Sequence, residues 1–296
     1  MPTSLHFTKM QGAGNDYIYV DASRYDVRKP AELSVLLSAY HTGIGSDGLI
    51  LIGRAGDDAD FTMRIFNNDG SEAMMCGNGV RCVGKYVYDK GLTQKHELRI
   101  DTLSGIKTLR LHIDNDCYVN SVTVDMGIPQ LLAVDRGDGH PREMIEETVT
   151  AGGHTFSGTA ISMGNPHLVI FTDDVEGIDL AALGSELERH PWFPDRVNVE
   201  FAEVLDDRRI RMRVWERGSG ITMACGTGAC ATAAAALLTR RSCGESEVTM
   251  DGGTLTLQWG GASAHLFMTG PATTVFEGTV EVDSEYATEV RQTTTD

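Results

Sequence analysis

The sequence is short of positive charge. Its 296 residues carry 25 lysines and arginines against 42 aspartates and glutamates, a formal net charge of −17 and a pI near 4.9. Phosphate-backbone recognition rests on clustered Lys and Arg, so no nucleic-acid partner is expected. Long apolar runs are missing too. The longest, Ala229 to Leu238, is interrupted by a threonine and far too short to span a bilayer, so no membrane partner is expected either. The opening MPTSLHFTKM has no basic stretch ahead of an apolar core, which predicts no signal peptide. The six cysteines have no even framework spacing, and no CxxC or HxxxH pair accompanies them. A disulfide scaffold, a zinc site and a CxxC redox motif are therefore unsupported, and a reduced, cytoplasmic protein is expected. No low-complexity tract, short-period repeat or coiled coil interrupts the chain.

What the chain does have is one unusual phrase written twice. Around Cys76 it reads MRIFNNDGSEAMMCGNGVRC, and around Cys225 MRVWERGSGITMACGTGAC, aligned without a gap from the Met-Arg pair to the CGxG. The surrounding elements repeat as well. In the first half, strands are predicted over Leu5–Asp21 (broken by GAGND), in LILI after GIGSDG, and over Phe61–Phe66. A helix is predicted over Pro30–Tyr40, with Leu33, Leu36, Leu37 and Tyr40 on one face. After Gly79, Val80, Val83 and Val87 share a helical face, with Arg81 and Lys85 outside and Gly91 as the stop. Strands follow at Glu97–Asp101, Ile106–Ile113 and Val119–Asp125. The second half predicts strands at His154–Met163, His167–Phe171, Asn198–Val204, Ile210–Trp215, Glu247–Met250, Thr254–Trp259 and Ala264–Met268. Its helices fall at Leu180–His190 and, Ala-rich, at Gly228–Leu238. This predicts two pseudo-symmetric α+β lobes: residues 1–127 with a returning strand at about 273–290, and residues 128–272. They would be joined through a loop at DRGDGHPRE, with a frayed tail at VRQTTTD.

Free cysteine titrates near pKa ~8.5, and only its thiolate is a good base or nucleophile. A sulfur at a helix N-terminus has its pKa lowered, and the neighbouring N–H groups can bind a carboxylate. One such turn suits a hydrolase or a redox thiol. Two suit proton removal by one sulfur and delivery by the other, inverting a stereocentre. A Cys76–Cys225 disulfide in a thiol switch stays open as an alternative. Cys82, Cys117, Cys230 and Cys243 read as ordinary thiols. GIGSDG satisfies GxGxxG but precedes its strand instead of following one, so a dinucleotide site is rejected. No lysine is marked as a Schiff base, and no cofactor or metal is expected.

Asparagines recur where glycine turns meet strands, at Asn15, Asn67, Asn165 and Asn198; Asn15 and Asn165 precede their cysteines by a similar length of chain. The repeat breaks where Asn67 and Asn68 align with Glu216 and Arg217. Amides on one side and a Glu–Arg pair on the other suit an asymmetric, zwitterionic substrate. His167, two residues after Asn165, is placed to orient or polarise a thiol.

Taken together, these motifs resemble the diaminopimelate epimerases, cofactor-independent enzymes that interconvert LL- and meso-diaminopimelate. The resemblance covers nearly the whole chain: FTKMQGAGNDYIYVD, HTGIGSDGLI, RIFNNDGSEAMMCGNGVRC, SMGNPH, RVNVEF and VWERGSGITMACGTGACA, in the family's order. It implies an α+β fold of two similar lobes, each a curved, mostly antiparallel sheet wrapped around a central helix, with the active site in the cleft between them and the chain commonly a homodimer. It implies Cys76 and Cys225 as the acid–base pair, tuned by His167 and Glu216. Substrate would be bound by Asn15, Asn67, Asn165, Asn198, Glu216 and Arg217, with Gly77, Asn78, Gly226 and Thr227 at the helix starts. Two departures stand out. Some members have glutamine at Gly48, so one side-chain contact would be absent or supplied by water; many have glutamate at Ile221.

Overall fold

The computed structural model describes residues 2–290. Its chain divides into two compact units, Met1–Val124 with Gly270–Asp296, and Asp125–Thr269. In the first unit, strand Pro2–Gly12 turns through Ala13 and Gly14, both at positive φ, and pairs antiparallel with Asn15–Asp21. That strand lies parallel to Gly48–Arg54, which pairs antiparallel with Phe61–Asn67. Phe61–Asn67 lies parallel to Glu97–Thr102, followed antiparallel by Gly105–Ile113 and Val119–Asp125. Strand Thr273–Asp283 returns to the far edge of Pro2–Gly12. Helix α1, Pro30–Ser38, covers one face of this sheet, packing Leu33 and Leu37 with Leu5, Ile18, Val20, Leu49 and Leu51. Helix α2, Gly77–Asp89, fills the other. A Cβ at Gly79 would meet Ile50 at 2.8 Å, and one at Gly84 would meet Leu109 and Leu111 at 2.9 Å. The two glycines thus let the central strand Gly48–Arg54 and the strand Gly105–Ile113 both close on a single helix.

The second unit repeats the pairing sequence step by step. His154–Ser162 is antiparallel to Pro166–Phe171, which is parallel to Asn198–Val204. Arg209–Glu216 follows antiparallel, Glu245–Met250 parallel, then Gly253–Trp259 and Leu266–Pro271 antiparallel. Helix α3, Leu180–Leu187, packs outside with Leu168, Ile170, Val199 and Phe201, and its N-cap Asp179 accepts from Ala182 N–H. Helix α4, Gly226–Leu238, buries Ala229 to Ala236 and so has no polar face in that stretch. Small residues on every side suit a helix enclosed by its own sheet. Among the described residues no helix is long and apolar enough to cross a membrane.

Three expectations change. Helix α1 stops at Ser38, which leaves Leu36 46% and Tyr40 70% exposed. Its inner face is instead Leu33, Ser34, Leu37 and Ser38, because Ser34 donates to the carbonyls of Phe66 and Asn67, and Ser38 Oγ meets Ser46 Oγ. Arg81, expected on the outside of α2, is fully buried. A helix enclosed by its sheet has little outside to offer, and the guanidinium donates to the Gly77 carbonyl (3.1 Å), Asn78 Oδ1 (2.9 Å) and the Pro271 carbonyl (3.2 Å). The connecting segment is a small hairpin, not only a loop, since Arg142–Glu143 pairs with Ala133–Val134. The tail expected to fray lies, from residue 291 on, outside the described residues.

Replacing Arg81 by Met strips two buried acceptors and one half-buried one of their donor while keeping the bulk. The expected cost is about 3 kcal/mol of unfolding free energy, read as a lower urea midpoint. An unchanged midpoint would show that the guanidinium contributes nothing to folding.

Candidate active site

Each CGxG turn makes its cysteine the N-cap of the enclosed helix. Cys76 has extended backbone (φ −135°, ψ 117°), and its sulfur accepts from Gly79 N–H at 3.3 Å. Cys225 does the same (φ −127°, ψ 109°) with Gly228 N–H at 3.4 Å. In both helices the next N–H, of Val80 or Ala229, goes to the cysteine carbonyl. Helix geometry leaves the N–H groups of Gly77 and Asn78, and of Gly226 and Thr227, without intrahelical acceptors. Two such groups beside a sulfur are placed to hold a carboxylate.

In the first unit the Cys76 thiol donates to Asn15 Oδ1 (3.3 Å), and Asn15 Nδ2 donates to Asp47 Oδ2 (2.7 Å). Asp47 also accepts from Asp16 N–H (3.1 Å). Burial pushes the Asp47 carboxyl up from its ordinary value. Tyr17 lies against the same group; burial, then the nearby Cys76 and Asp47 charges, push its phenol well above its ordinary value. Asn78 is 3% exposed with Oδ1 taken by Arg81, so its side chain is anchored at the helix start beside its backbone N–H. Asn67 Nδ2 donates to Ser71 Oγ (3.0 Å) and closes the turn below the repeat. At Gly48 a Cβ would collide with the Phe66 carbonyl oxygen and sit 2.9 Å from Tyr17. Here the departure from glutamine is structural: the strands stand too close for any side chain.

In the second unit Cys225 is 5% exposed, and its sulfur lies 3.5 Å from Thr227 Oγ1. Asn165 Nδ2 donates to that hydroxyl (3.4 Å), and Asn165 Oδ1 meets His167 Nε2 (3.0 Å). His167 Nδ1 lies 2.7 Å from Glu200 Oε1, and both side chains are fully buried. Glu216 accepts from Thr222 Oγ1 (2.5 Å), and burial raises its carboxyl above the ordinary range. Asn198 commits both amide ends, donating to the Pro166 carbonyl (2.8 Å) and accepting from Arg217 N–H (2.9 Å). The Arg217 guanidinium is exposed and donates to the Asp195 carbonyl (3.0 Å). Ile221 is 47% exposed, so its departure from glutamate disturbs no packing.

The charge state of Cys225 runs against the sequence expectation. The helix start and the Thr227 hydroxyl do favour a thiolate, but burial and the Glu216 and Glu200 carboxylates outweigh them. The thiol is held well above its ordinary pKa and keeps its proton at neutral pH. Sequence reasoning missed Asp47, Tyr17, Thr222 and Glu200. Glu200 had a legible signal: an acid among Val197, Val199, Phe201 and Ala202, all buried, must be paired to sit there. Among the described residues no group of three His, Cys, Asp or Glu side chains is arranged to hold a metal. All six cysteines are free.

Removing the Glu216 charge is expected to make Cys225 more acidic. In Glu216→Gln the pH midpoint of Cys225 alkylation by iodoacetamide, read by mass spectrometry in a Cys76→Ala background, moves down. A midpoint that stays or rises would remove Glu216 as the cause.

A family model described as diaminopimelate epimerase matches residues 7–132 and 159–275. A diaminopimelate epimerase of Phocaeicola vulgatus is 56% identical over 282 residues, covering 95% of this chain and all of the relative. One from Methanococcus maripaludis is 50% identical over 281 residues, covering 94% of this chain and again all of the relative. The fold is shared more widely. A hydroxyproline epimerase from Agrobacterium vitis superposes with TM-score 0.65 at 16% identity, covering 95% of this chain and 92% of that one. A phenazine biosynthesis protein of the PhzF family from Bacillus anthracis gives 0.69 at 16% identity, covering 94% and 99%. By these matches along nearly its whole length, the chain belongs to the diaminopimelate epimerase family.

Proposed function

We propose that this chain interconverts LL-2,6-diaminopimelate and meso-diaminopimelate by a two-base proton transfer at the α-carbon. One cysteine, as thiolate, removes the α-hydrogen; the other, as thiol, protonates the opposite face. The observation that carries this reading is the duplicated N-cap: Cys76 and Cys225 each sit at a helix start beside two N–H groups that lack intrahelical acceptors. Those groups would hold the α-carboxylate and stabilise the charge that develops as the α-carbon is deprotonated. With its proton held by burial and by Glu216 and Glu200, Cys225 is the donor in the resting state. The reaction as drawn uses no imine, metal or redox cofactor.

The same reading assigns Asn15, which accepts from the Cys76 thiol, and Asn165, which bonds Thr227, to substrate contacts made as these bonds open. Asn67, Asn198, Glu216 and Arg217 would read the distal amino-acid end, Asn198 by fixing the Arg217 backbone. His167 and Glu216 tune the Cys225 thiol. We further infer a cytoplasmic homodimer working in lysine and peptidoglycan precursor synthesis, with no nucleic-acid partner, as the −17 charge supports. Exposed Val275 (52%) and Phe276 (44%) on the returning strand support a self-association surface.

Incubation with LL-diaminopimelate in deuterated water is expected to give meso product carrying deuterium at the inverted α-carbon. Cys76→Ala and Cys225→Ala should each lower turnover by about 10²–10⁴-fold or more. Wild-type turnover in either variant sinks the two-base reading, and labelling of another amino acid in place of diaminopimelate sinks the substrate.

A further inference from the structure

The repeat breaks its symmetry a second time, directly beneath the sulfurs. A Cβ added at Gly79 would meet Ile50 Cδ1 at 2.8 Å; one added at the equivalent Gly228 would meet Glu200 Oε1 at 2.6 Å and Cys225 Sγ at 3.3 Å. The strand registers agree: Ile50 pairs with Tyr19 as Glu200 pairs with Val169, so Tyr17 and His167 correspond two residues earlier. Under one cysteine the fold places an isoleucine and a tyrosine, and under the other a glutamate and a histidine. The isoleucine shows that this architecture does not need a carboxylate there. Glu200 is nevertheless fully buried, with Oε2 lacking a hydrogen-bond partner. An unsatisfied buried carboxylate oxygen is costly and calls for a reason outside packing.

We propose that Glu200 is a positioning residue for Cys225, acting through His167 and Asn165 to set the direction of a hydrogen-bond relay that ends with the Thr227 hydroxyl proton available to the Cys225 sulfur. The proposal rests on the two-cysteine reading above, but its test needs no substrate.

Direction follows from what each atom can do. Asn165 Oδ1 only accepts, so His167 Nε2, 3.0 Å away, carries a hydrogen. Glu200 Oε1, 2.7 Å from Nδ1 on the opposite side, holds the ring with Nε2 facing Asn165. With its oxygen held toward His167, the Asn165 amide turns Nδ2 toward Thr227 Oγ1 at 3.4 Å and occupies one lone pair there. The hydroxyl proton is then not drawn toward Asn165. While Cys225 is a thiol, its S–H has the Glu216 carboxylate and the Thr227 oxygen, 3.5 Å away, as acceptors. Once the sulfur has given up its proton, the hydroxyl rotates and donates to the thiolate. With the amide turned the other way, Asn165 would face Thr227 with its oxygen and claim the hydroxyl proton itself. The charged groups facing Cys225 are Glu200 and Glu216, with His167 beyond Glu200.

The relay and a bare through-space charge predict different coupling, which a double-mutant cycle separates. The readout is Cys225 alkylation by iodoacetamide across pH in a Cys76→Ala background, with folding checked by thermal melting. Thr227→Val should slow alkylation about tenfold at a given pH below the thiol pKa, the loss of one hydrogen bond to a charged sulfur. Thr227→Ser should stay within about threefold of the parent, because the hydroxyl is kept. In a Glu200→Gln background, Thr227→Val should cost less than about threefold, because the hydroxyl is no longer directed at the sulfur. An Asn165→Asp background, which presents an acceptor oxygen to the Thr227 hydroxyl in place of the amide N–H, should give the same reduced cost and serves if the Glu200 variant does not fold. A full tenfold cost of Thr227→Val in both backgrounds overturns the relay and leaves Glu200 acting by charge alone. Loss of wild-type epimerisation chemistry would instead bear on the parent reading, which the deuterium experiment examines separately.

Discussion

Everything at this site hangs on a cysteine used as a helix N-cap. Serine, threonine, aspartate and asparagine are the usual residues there, because an oxygen accepts well from the N–H three positions on. Sulfur accepts more weakly, at 3.3 and 3.4 Å in the two copies. In exchange the fold fixes a thiol at the end of a helix macrodipole, beside two N–H groups with no intrahelical use. The glycines of CGxG follow from the same constraint. The third residue after each cysteine must offer its N–H to the sulfur while its Cα presses against the sheet, where any Cβ would strike Ile50 or Glu200. Helix, sheet and reactive atom are therefore specified together. That explains why the motif recurs as a block and not as scattered residues.

Much of the architecture could be read from that block. The strand–helix–strand grammar of each half, the two helix starts and the returning strand all carried periodicity or turn signals, and the shared pairing sequence of the two units is the duplication expressed in hydrogen bonds. The misreadings share one physical cause. Periodicity assigns a helix an inside and an outside, and α2 has almost no outside because its sheet wraps around it. Arg81 therefore went inward, satisfied by carbonyls that exist only after folding. Helix α1 failed differently. Serines 34 and 38 look polar in sequence but face inward, since neighbouring carbonyls and a hydroxyl receive them.

The site itself was half legible. Residues inside the repeat could be named because duplication pointed at them. Residues beneath it were harder to name: Asp47, in the bend before its strand, and Tyr17 act on the motif through registers no sequence pattern reveals, and Glu200 showed only as an acid in a buried apolar run. The thiol pKa is the clearest example. Helix position alone predicts a more acidic sulfur, but burial and two carboxylates reverse that prediction for Cys225. One of those carboxylates lies outside the repeated phrase.

That reversal resolves a difficulty in any symmetric two-base scheme. Two identical thiols in identical surroundings have equal affinity for a shared proton, so the singly protonated pair divides evenly between its two forms and neither sulfur is the preferred donor. One sulfur must hold a proton while the other has none. The duplicated parts of this chain cannot supply that difference, since duplication makes the cysteines, helix starts and glycines alike. The unduplicated parts can. Asn67 gives way to Glu216, and Ile50 to Glu200, so the second cysteine has two carboxylates beside it, whereas the Asp47 carboxylate reaches Cys76 only through Asn15. In the proposed reaction each turnover moves a proton from one sulfur to the other, and the carboxylates beside Cys225 favour its return there. The relay through His167, Asn165 and Thr227 then limits what that bias costs, because it meets the sulfur with a hydroxyl proton when it must become a thiolate. A site that has to work in both directions thus keeps one preferred resting state without making the opposite one inaccessible.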